Sequence, residues 1–260
     1  MEIYVIIPAR NEASRIARTL SDYSRLEFDS KRIRVVVVSE SEDGTDDIVR
    51  KFGKLNRNIA LLKAGRETGK GGAIMRGFRY AMAQSGKCIV GFADADDAVT
   101  AKEFAKLLRR LASSNEIAGV IASRYSNGGS IEGRIGLRRK IASRAYNALV
   151  RTLFRIGFRD TQCGAKVFRS EALSKVIGLV DINGMSFDIN LLYELKIKGY
   201  RVVEEGVRYK QLNDGTSIRI LRNSPQMLVA ALGFRVYKSR FIKLFPRGFV
   251  HHVYKRIDRW

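Results

Sequence analysis

Cys88-Ile89-Val90-Gly91-Phe92-Ala93-Asp94-Ala95-Asp96 is the stretch that decides how this chain is read. Its first five residues form a short apolar run with the character of a buried strand. Asp94 and Asp96 stand where that strand gives way to a loop. In open α/β sheets ligands collect at the carboxyl ends of strands. Two carboxylates at such a place either repel each other or share a cation. In a basic protein, the reading to test is a divalent metal that carries phosphates.

Working outward, the first half of the chain alternates. Ile3–Ile7 reads as a strand and Asn11–Tyr23 as a helix. Ile33–Val38 is a β-branched run of the kind found in buried parallel strands. Thr45–Phe52 is helical, Ile59–Leu62 is a strand, Gly72–Gln84 and Lys102–Leu111 are helices, and Ile117–Ala122 is a strand. Such alternation predicts a mostly parallel sheet with helices on both faces. The second half is less regular. Ser126-Asn127-Gly128-Gly129-Ser130 reads as a loop, and a basic helix spans roughly Gly136–Ile156. Lys166–Phe168 reads as a strand, Phe187–Lys198 as a helix, and Val202–Glu204 and Val207–Lys210 as short strands.

Four loops then fall on one edge of the predicted sheet. Pro8-Ala9-Arg10-Asn11-Glu12 follows strand one, and Ser39-Glu40-Ser41-Glu42-Asp43-Gly44-Thr45 follows strand two. Gly65–Gly72 follows strand three, and Asp94-Ala95-Asp96-Asp97 follows strand four. Taken singly, each is also an ordinary helix start, for which Asn11, Thr45 and Thr100 are good caps. Taken together, with acids in three of them, they line one cleft. Gly69-Lys70-Gly71-Gly72 is not a P-loop: three residues separate Gly65 from Gly69, and Gly71 stands where a metal-binding Ser or Thr is needed. A lysine and glycines at a helix start still suit an anionic ligand.

Bulk composition agrees with a globular chain. The 260 residues are 45% hydrophobic, enough for a sizeable core, and contain only 3 prolines, which argues against a disordered linker. Lys and Arg total 48 against 26 Asp and Glu, a formal charge of +22, which favours an anionic partner. Cys88 and Cys163 are far apart, with neither metal-ligand nor disulfide spacing, so a reducing compartment is expected. The start Met1-Glu2-Ile3-Tyr4-Val5-Ile6-Ile7-Pro8 carries no basic leader, and no signal peptide is expected. No uncharged stretch reaches the roughly 20 residues of a membrane span.

The loop residues together resemble the family-2 inverting glycosyltransferases of GT-A fold. Pro8-Ala9-Arg10-Asn11-Glu12, Asp43-Gly44-Thr45, Gly69-Lys70-Gly71 and Asp94-Ala95-Asp96 carry the likeness in the first half. Further on, several motifs stand in the order seen in dolichyl-phosphate mannose and glucose synthases. They are Ser123-Arg124-Tyr125, Gly128-Gly129-Ser130, Arg138-Arg139-Lys140-Ile141-Ala142-Ser143-Arg144, Asn147 and Asp160-Thr161-Gln162-Cys163-Gly164-Ala165-Lys166-Val167-Phe168. The resemblance implies a GT-A Rossmann-like catalytic domain over 1–218, with 219–260 as a C-terminal basic amphipathic extension. It implies that Pro8, Ala9, Arg10 and Glu12 surround the base of a nucleotide sugar, a UDP- or GDP-hexose, with Glu40 or Asp43 nearby. Asp94 and Asp96 would hold Mg²⁺ or Mn²⁺ on the donor diphosphate, ions that suit oxygen-only ligands. Lys70 belongs to the donor side, and Arg219 or Arg222 would close over the diphosphate. Arg124, Arg139 and Ser143 would bind the phosphate of a polyprenyl or dolichyl acceptor, with Asp160 orienting these arginines or acting near the sugar.

The chain also departs from the family pattern. Ser39-Glu40 stands where many relatives have two Asp, and Ala98 stands where these synthases often have Gln. Metal coordination therefore rests on Asp94, Asp96 and water, with Asp97 as an alternative ligand. Ala165 replaces a usual Phe and Asn190 a usual Glu. Cys163 reads as a packed small residue, and His251 and His252 have no acidic neighbourhood that would make them catalytic.

In the tail, Phe234, Tyr237, Phe241, Leu244 and Phe245 recur at helical spacing among Arg235, Lys238, Arg240, Lys243 and Arg247. Such a segment suits an anionic membrane surface, or packs its apolar side on the domain. The expectation is a peripheral enzyme of the cytoplasmic membrane face that transfers glucose or mannose to a lipid phosphate. The rivals are a family-2 transferase with a soluble acceptor and a basic nucleic-acid-binding module. Acidic loops in the cleft and the lack of the usual nucleic-acid motifs weigh against the second rival.

Overall fold

The computed structural model describes residues 1–65, 69–133, 136–180, 187–211, 231–236 and 238, with backbone only at 31, 32 and 137–139. In chain order, the first half gives β1 (Glu2–Ala9), α1 (Ile16–Tyr23), a small hairpin of β2 (Glu27–Phe28) and β3 (Lys31–Arg32), β4 (Arg34–Ser39), α2 (Thr45–Leu55), β5 (Ile59–Lys63), α3 (Lys70–Ser85), β6 (Cys88–Ala93), α4 (Ala101–Ala112) and β7 (Ile117–Ser123). The second half gives β8 (Ser130–Glu132), α5 (Leu137–Phe154), β9 (Ala165–Arg169), α6 (Ser170–Val176), α7 (Phe187–Ile197), β10 (Arg201–Gly206) and β11 (Arg208–Lys210).

Seven strands form one sheet in the order β10-β7-β9-β6-β1-β4-β5. All neighbours are parallel except β9, which runs antiparallel between β6 and β7. The α/β architecture expected from the alternating pattern is therefore present, as a mixed and mostly parallel sheet. The β-branched run Val35–Val38 is buried because both faces of its strand are covered. Side chains alternate between two cores. Ile3, Val5, Ile7, Ile89 and Val167 face α1 and α4, whereas Tyr4, Ile6, Val90, Phe92 and Phe168 face α3, α6 and α7.

Several local expectations change. α1 begins at Ile16 rather than Asn11, because Asn11 sits in the left-handed region (φ 56°), which Asn tolerates but a helix start does not. Thr45 is the first residue of α2 and Gly44 (φ 92°) is its cap. Thr100 does cap α4, its Oγ accepting the Glu103 N–H at 3.4 Å. Residues 126–129 form the expected loop, but Ser130 opens β8, which pairs with β11. α6 was not legible in the sequence pattern.

In the extension, residues 231–236 are helical and dock on the domain. Ala231 and Phe234 are buried. Phe234 stacks on Phe154 at 5.4 Å and meets Tyr193 edge-on at 5.7 Å, and Lys238 Nζ lies 2.7 Å from Glu194. The rest of the extension, His251 and His252 included, lies outside the described residues. Among those described, no helix is long and apolar enough to cross a membrane.

Candidate active site

The carboxyl ends of β1, β4, β6 and β7 reach one edge of the sheet, and the turn that leads into β9 joins them there. The first two loops are stitched to each other. The Asn11 amide donates to Ser41 Oγ (3.0 Å), the Glu12 amide to Thr45 Oγ1 (2.8 Å) and the Ala13 amide to Asp43 Oδ2 (2.9 Å). Asp43 Oδ1 also accepts the Thr45 N–H and hydroxyl, at 3.0 and 2.5 Å. Burial pulls the Asp43 carboxyl up, but these donors outweigh it and hold it below its ordinary range. Asp43 thus braces the cleft, with both oxygens engaged by protein. Pro8 and Ala9 end β1, Arg10 is exposed, and Glu40 follows β4 half-buried. Glu12 is 2.5 Å from Arg15. Burial raises its pKa, Arg15 opposes, and the charges of Asp96 and Asp94 add to the rise, so Glu12 shares the electrostatic field of the metal-type acids.

Asp94 and Asp96 are placed by backbone. The Asp94 N–H donates to Gly164 O at 3.0 Å, which carries the β6–β9 pairing one step past Ala93 and Ala165. Asp96 Oδ1 accepts the Ala98 N–H at 3.0 Å, so position 98 contributes through its main chain. From α1, the Thr19 hydroxyl donates to Ala95 O and the Tyr23 hydroxyl to Val99 O, both at 2.7 Å, which pins the loop from behind. Burial and then the charge of Asp94 push the Asp96 carboxyl up, with the Ala98 amide opposing. That is the signature of two carboxylates wanting a cation. One cation is already there: Lys70, first residue of α3, puts Nζ 2.5 Å from Asp94 Oδ1.

These acids fit an oxygen-binding divalent ion. Among the described residues no third His, Cys, Asp or Glu joins them, so any further ligands would come from diphosphate or water. Asp97 does not join. It has a left-handed backbone (φ 58°), and its carboxylate meets Arg18 at 3.2 Å. Burial and the neighbouring Asp22 push it up to about 6.

The basic pole lies across the cleft. Arg124, just past β7, forks onto Asp160 at 2.7 and 2.9 Å, and its amide bonds the same carboxylate at 3.0 Å. Burial raises the Asp160 pKa, but Arg124 overrides it, and the carboxyl is held below its usual range. The Arg124 guanidinium lies between the rings of Tyr125 (5.3 Å) and Tyr209 (5.2 Å). Arg144 covers Tyr125 at 5.6 Å, and the Tyr125 hydroxyl donates to Ser143 Oγ at 3.2 Å. Arg139 lies one helical turn before Ser143 on α5, a spacing that shares a face. Its side chain, like Arg219 and Arg222, lies outside the described residues.

A short turn joins the two poles. Glu204 Oε1 accepts the amides of Arg159 and Asp160 at 2.8 and 2.9 Å. Asn147 Oδ1 accepts the Thr161 amide and hydroxyl at 3.0 and 3.1 Å. Gly164 ends the turn against Asp94, where an added Cβ would lie 2.0 Å from Asp94 Oδ2. Cys163 is buried, and burial pushes its thiol up to about 12, so it packs rather than reacts.

Sequence reasoning missed one buried pair. Lys166 Nζ meets Asp188 Oδ1 at 2.7 Å and donates to Cys163 O at 2.9 Å. A lysine between Ala165 and Val167, and an acid between Phe187 and Ile189, were the available signals, since such residues are buried only when paired.

A Rossmann-like sheet with paired acids after a central strand and loops gathered at one edge defines the class, a GT-A fold. Residues 4–177 match glycosyl transferase family 2, and the chain belongs to that family. It is an enzyme of the hexosyltransferase type. A dolichyl-phosphate beta-glucosyltransferase of Dictyostelium discoideum is 28% identical over 236 residues, 86% of this chain and 70% of that protein. The polyprenol monophosphomannose synthase of Mycolicibacterium smegmatis is 26% identical over 216 residues, 82% of this chain and 79% of that one. In fold, the chain is similar to the glucosyl-3-phosphoglycerate synthase of Mycobacterium tuberculosis, solved with Mn²⁺, UDP and glucosyl-3-phosphoglycerate. Its TM-score is 0.63 at 21% identity, covering 90% of this chain and 79% of that one.

Proposed function

We propose that this enzyme moves glucose or mannose, with inversion, from a nucleotide sugar to a polyprenyl or dolichyl phosphate, using Mg²⁺ or Mn²⁺. The observation that carries the reading is the pairing of two opposite poles on one sheet edge. Asp94 and Asp96 form the acidic pole, and Arg124, Tyr125, Ser143 and Arg144 form the basic one. The Asp160–Gly164 turn touches both. The dolichyl- and polyprenyl-phosphate relatives support the acceptor class.

The chemistry suits such residues. The departing nucleoside diphosphate needs its negative charge neutralised, which a bound divalent ion supplies as a Lewis acid. A monoester phosphate has a second pKa of about 6 and is largely ionised at neutral pH. Its oxygen attacks the anomeric carbon as the bond to the diphosphate breaks, and no strong general base is required. The chain's task is to hold two anions side by side, which arginines do well. Asp160 locks Arg124 in place for that task. Peripheral attachment to the cytoplasmic membrane face, through the basic extension, completes the proposal.

The test is transfer of radiolabelled sugar into organic-extractable lipid with metal present. Label that partitions into water instead favours a soluble phosphorylated acceptor. Full activity in Asp96→Ala would end the metal role, and unchanged lipid-phosphate affinity in Arg139→Ala would end the acceptor assignment.

A further inference from the structure

Lys70 holds one of the two acids that would bind a metal. Its ammonium is 2.5 Å from Asp94 Oδ1, a buried oxygen. A divalent ion on that same oxygen would be repelled by the ammonium in a partly desolvated cleft. A second carboxylate also acts on Lys70. Asp188 is buried and pairs with Lys166 at 2.7 Å. The charge of Asp188 acts on Lys70 in the same direction as that of Asp94. The charges thus alternate inward from the cleft as Asp94, Lys70, Asp188, Lys166.

The setting favours movement. Lys70 follows Gly69, precedes Gly71 and Gly72, and keeps part of its side chain in solvent. It is the first residue of α3, whose N-terminal turn carries partial positive charge. A diphosphate arriving there attracts the ammonium from outside while Asp188 attracts it from inside. Either pull frees the face of Asp94.

We propose that Lys70 is the resident counter-ion of Asp94, and that a divalent cation gains this carboxylate only when a nucleotide diphosphate draws the ammonium off. The inference rests on the donor site of the proposed function and adds an order to it: nucleotide and metal enter together, and metal alone is held out. By linkage, whatever excludes the metal in the absence of nucleotide must reappear as coupling between the two.

The test is Mn²⁺ titration of the full-length protein, followed by the spin-resonance signal of free Mn²⁺, with and without UDP or GDP. Wild type is expected to bind Mn²⁺ weakly alone and tightly with nucleotide. Lys70→Met is expected to bind Mn²⁺ alone more tightly than wild type, by a factor within the roughly 5–150-fold range of ordinary site coupling, and to lose that factor from the nucleotide effect. Lys70→Arg keeps the charge and should keep the exclusion. The idea is overturned if Lys70→Met binds Mn²⁺ alone no better than wild type, or if Lys70→Arg behaves like Lys70→Met. Wild type that binds Mn²⁺ equally well with and without nucleotide overturns it whether or not the variants fold. If wild type binds no Mn²⁺ with either nucleotide, the metal-dependent reading of the site falls as well.

Discussion

At the scale of single residues, Gly164 has the least freedom. Its carbonyl holds the Asp94 amide, and a Cβ there would lie 2.0 Å from Asp94 Oδ2. Asp94 cannot yield without leaving its place beside Lys70. Gly164→Ala is therefore expected to lower sugar transfer about 100-fold, the usual cost of a misplacement near 1 Å. The change adds one methyl at the cleft, so the fold should persist. Steady-state rates measured beside a melting curve check both halves, and near-normal activity would show that Asp94 need not sit where it does. Residues such as Asp94 and Asp96 were legible because acids directly after an apolar run have a strand-end address. Lys166 and Asp188 were not, because their meeting depends on β9 and α7 coming together across the core. Asp43 was legible as a loop acid, but its bracing role depends on Ala13 and Thr45, and only the folded loops bring these together.

At the scale of elements, the strands and helices of the first half follow the hydrophobic pattern closely, since buried parallel strands are continuous apolar runs. The antiparallel course of β9 was hidden, because residue type does not encode strand direction. The start of α1 shifted where side chains of the loop after β4 took the amides of Asn11, Glu12 and Ala13. α5 shows how elements cooperate in the site. Asn147, buried on its inner face, receives both the amide and the hydroxyl of Thr161, and its Nδ2 donates to Ser143 O at 3.1 Å. The helix that carries Ser143 and Arg144 is thereby fastened to the turn that carries Asp160. Asn147→Ala leaves two buried Thr161 donors without their acceptor, which costs about 1–3 kcal/mol. Urea unfolding should register that loss. The acceptor KM should rise more than the donor KM, and equal effects on both would mean that α5 is not the acceptor helix.

The whole molecule has a net charge of +22, and the tail over 219–260 is one of its most basic stretches. The extension over 219–260 is expected to meet a membrane surface or to pack on the domain, and its described part packs. Phe234 fills a site between Phe154 of α5 and Tyr193 of α7, and Lys238 answers the buried Glu194. The opposite side of the same helix exposes Leu232 (42%) and Val236 (51%) beside Arg235, a face that suits an anionic bilayer. One segment can therefore serve both roles, packing with one side and touching lipid with the other, and substitutions separate them. Phe234→Ala should destabilise the whole protein by about 3–5 kcal/mol, as for other buried phenylalanines. Leu232→Ser with Val236→Ser should change stability by no more than about 0.5 kcal/mol per site. The same double variant should co-sediment less with vesicles of anionic lipid, and high salt should weaken wild-type binding, as the Debye length shortens. If Phe234→Ala leaves the melting temperature unchanged, the tail is not part of the folded core. If the double variant binds vesicles like wild type, the exposed face is not what meets the membrane.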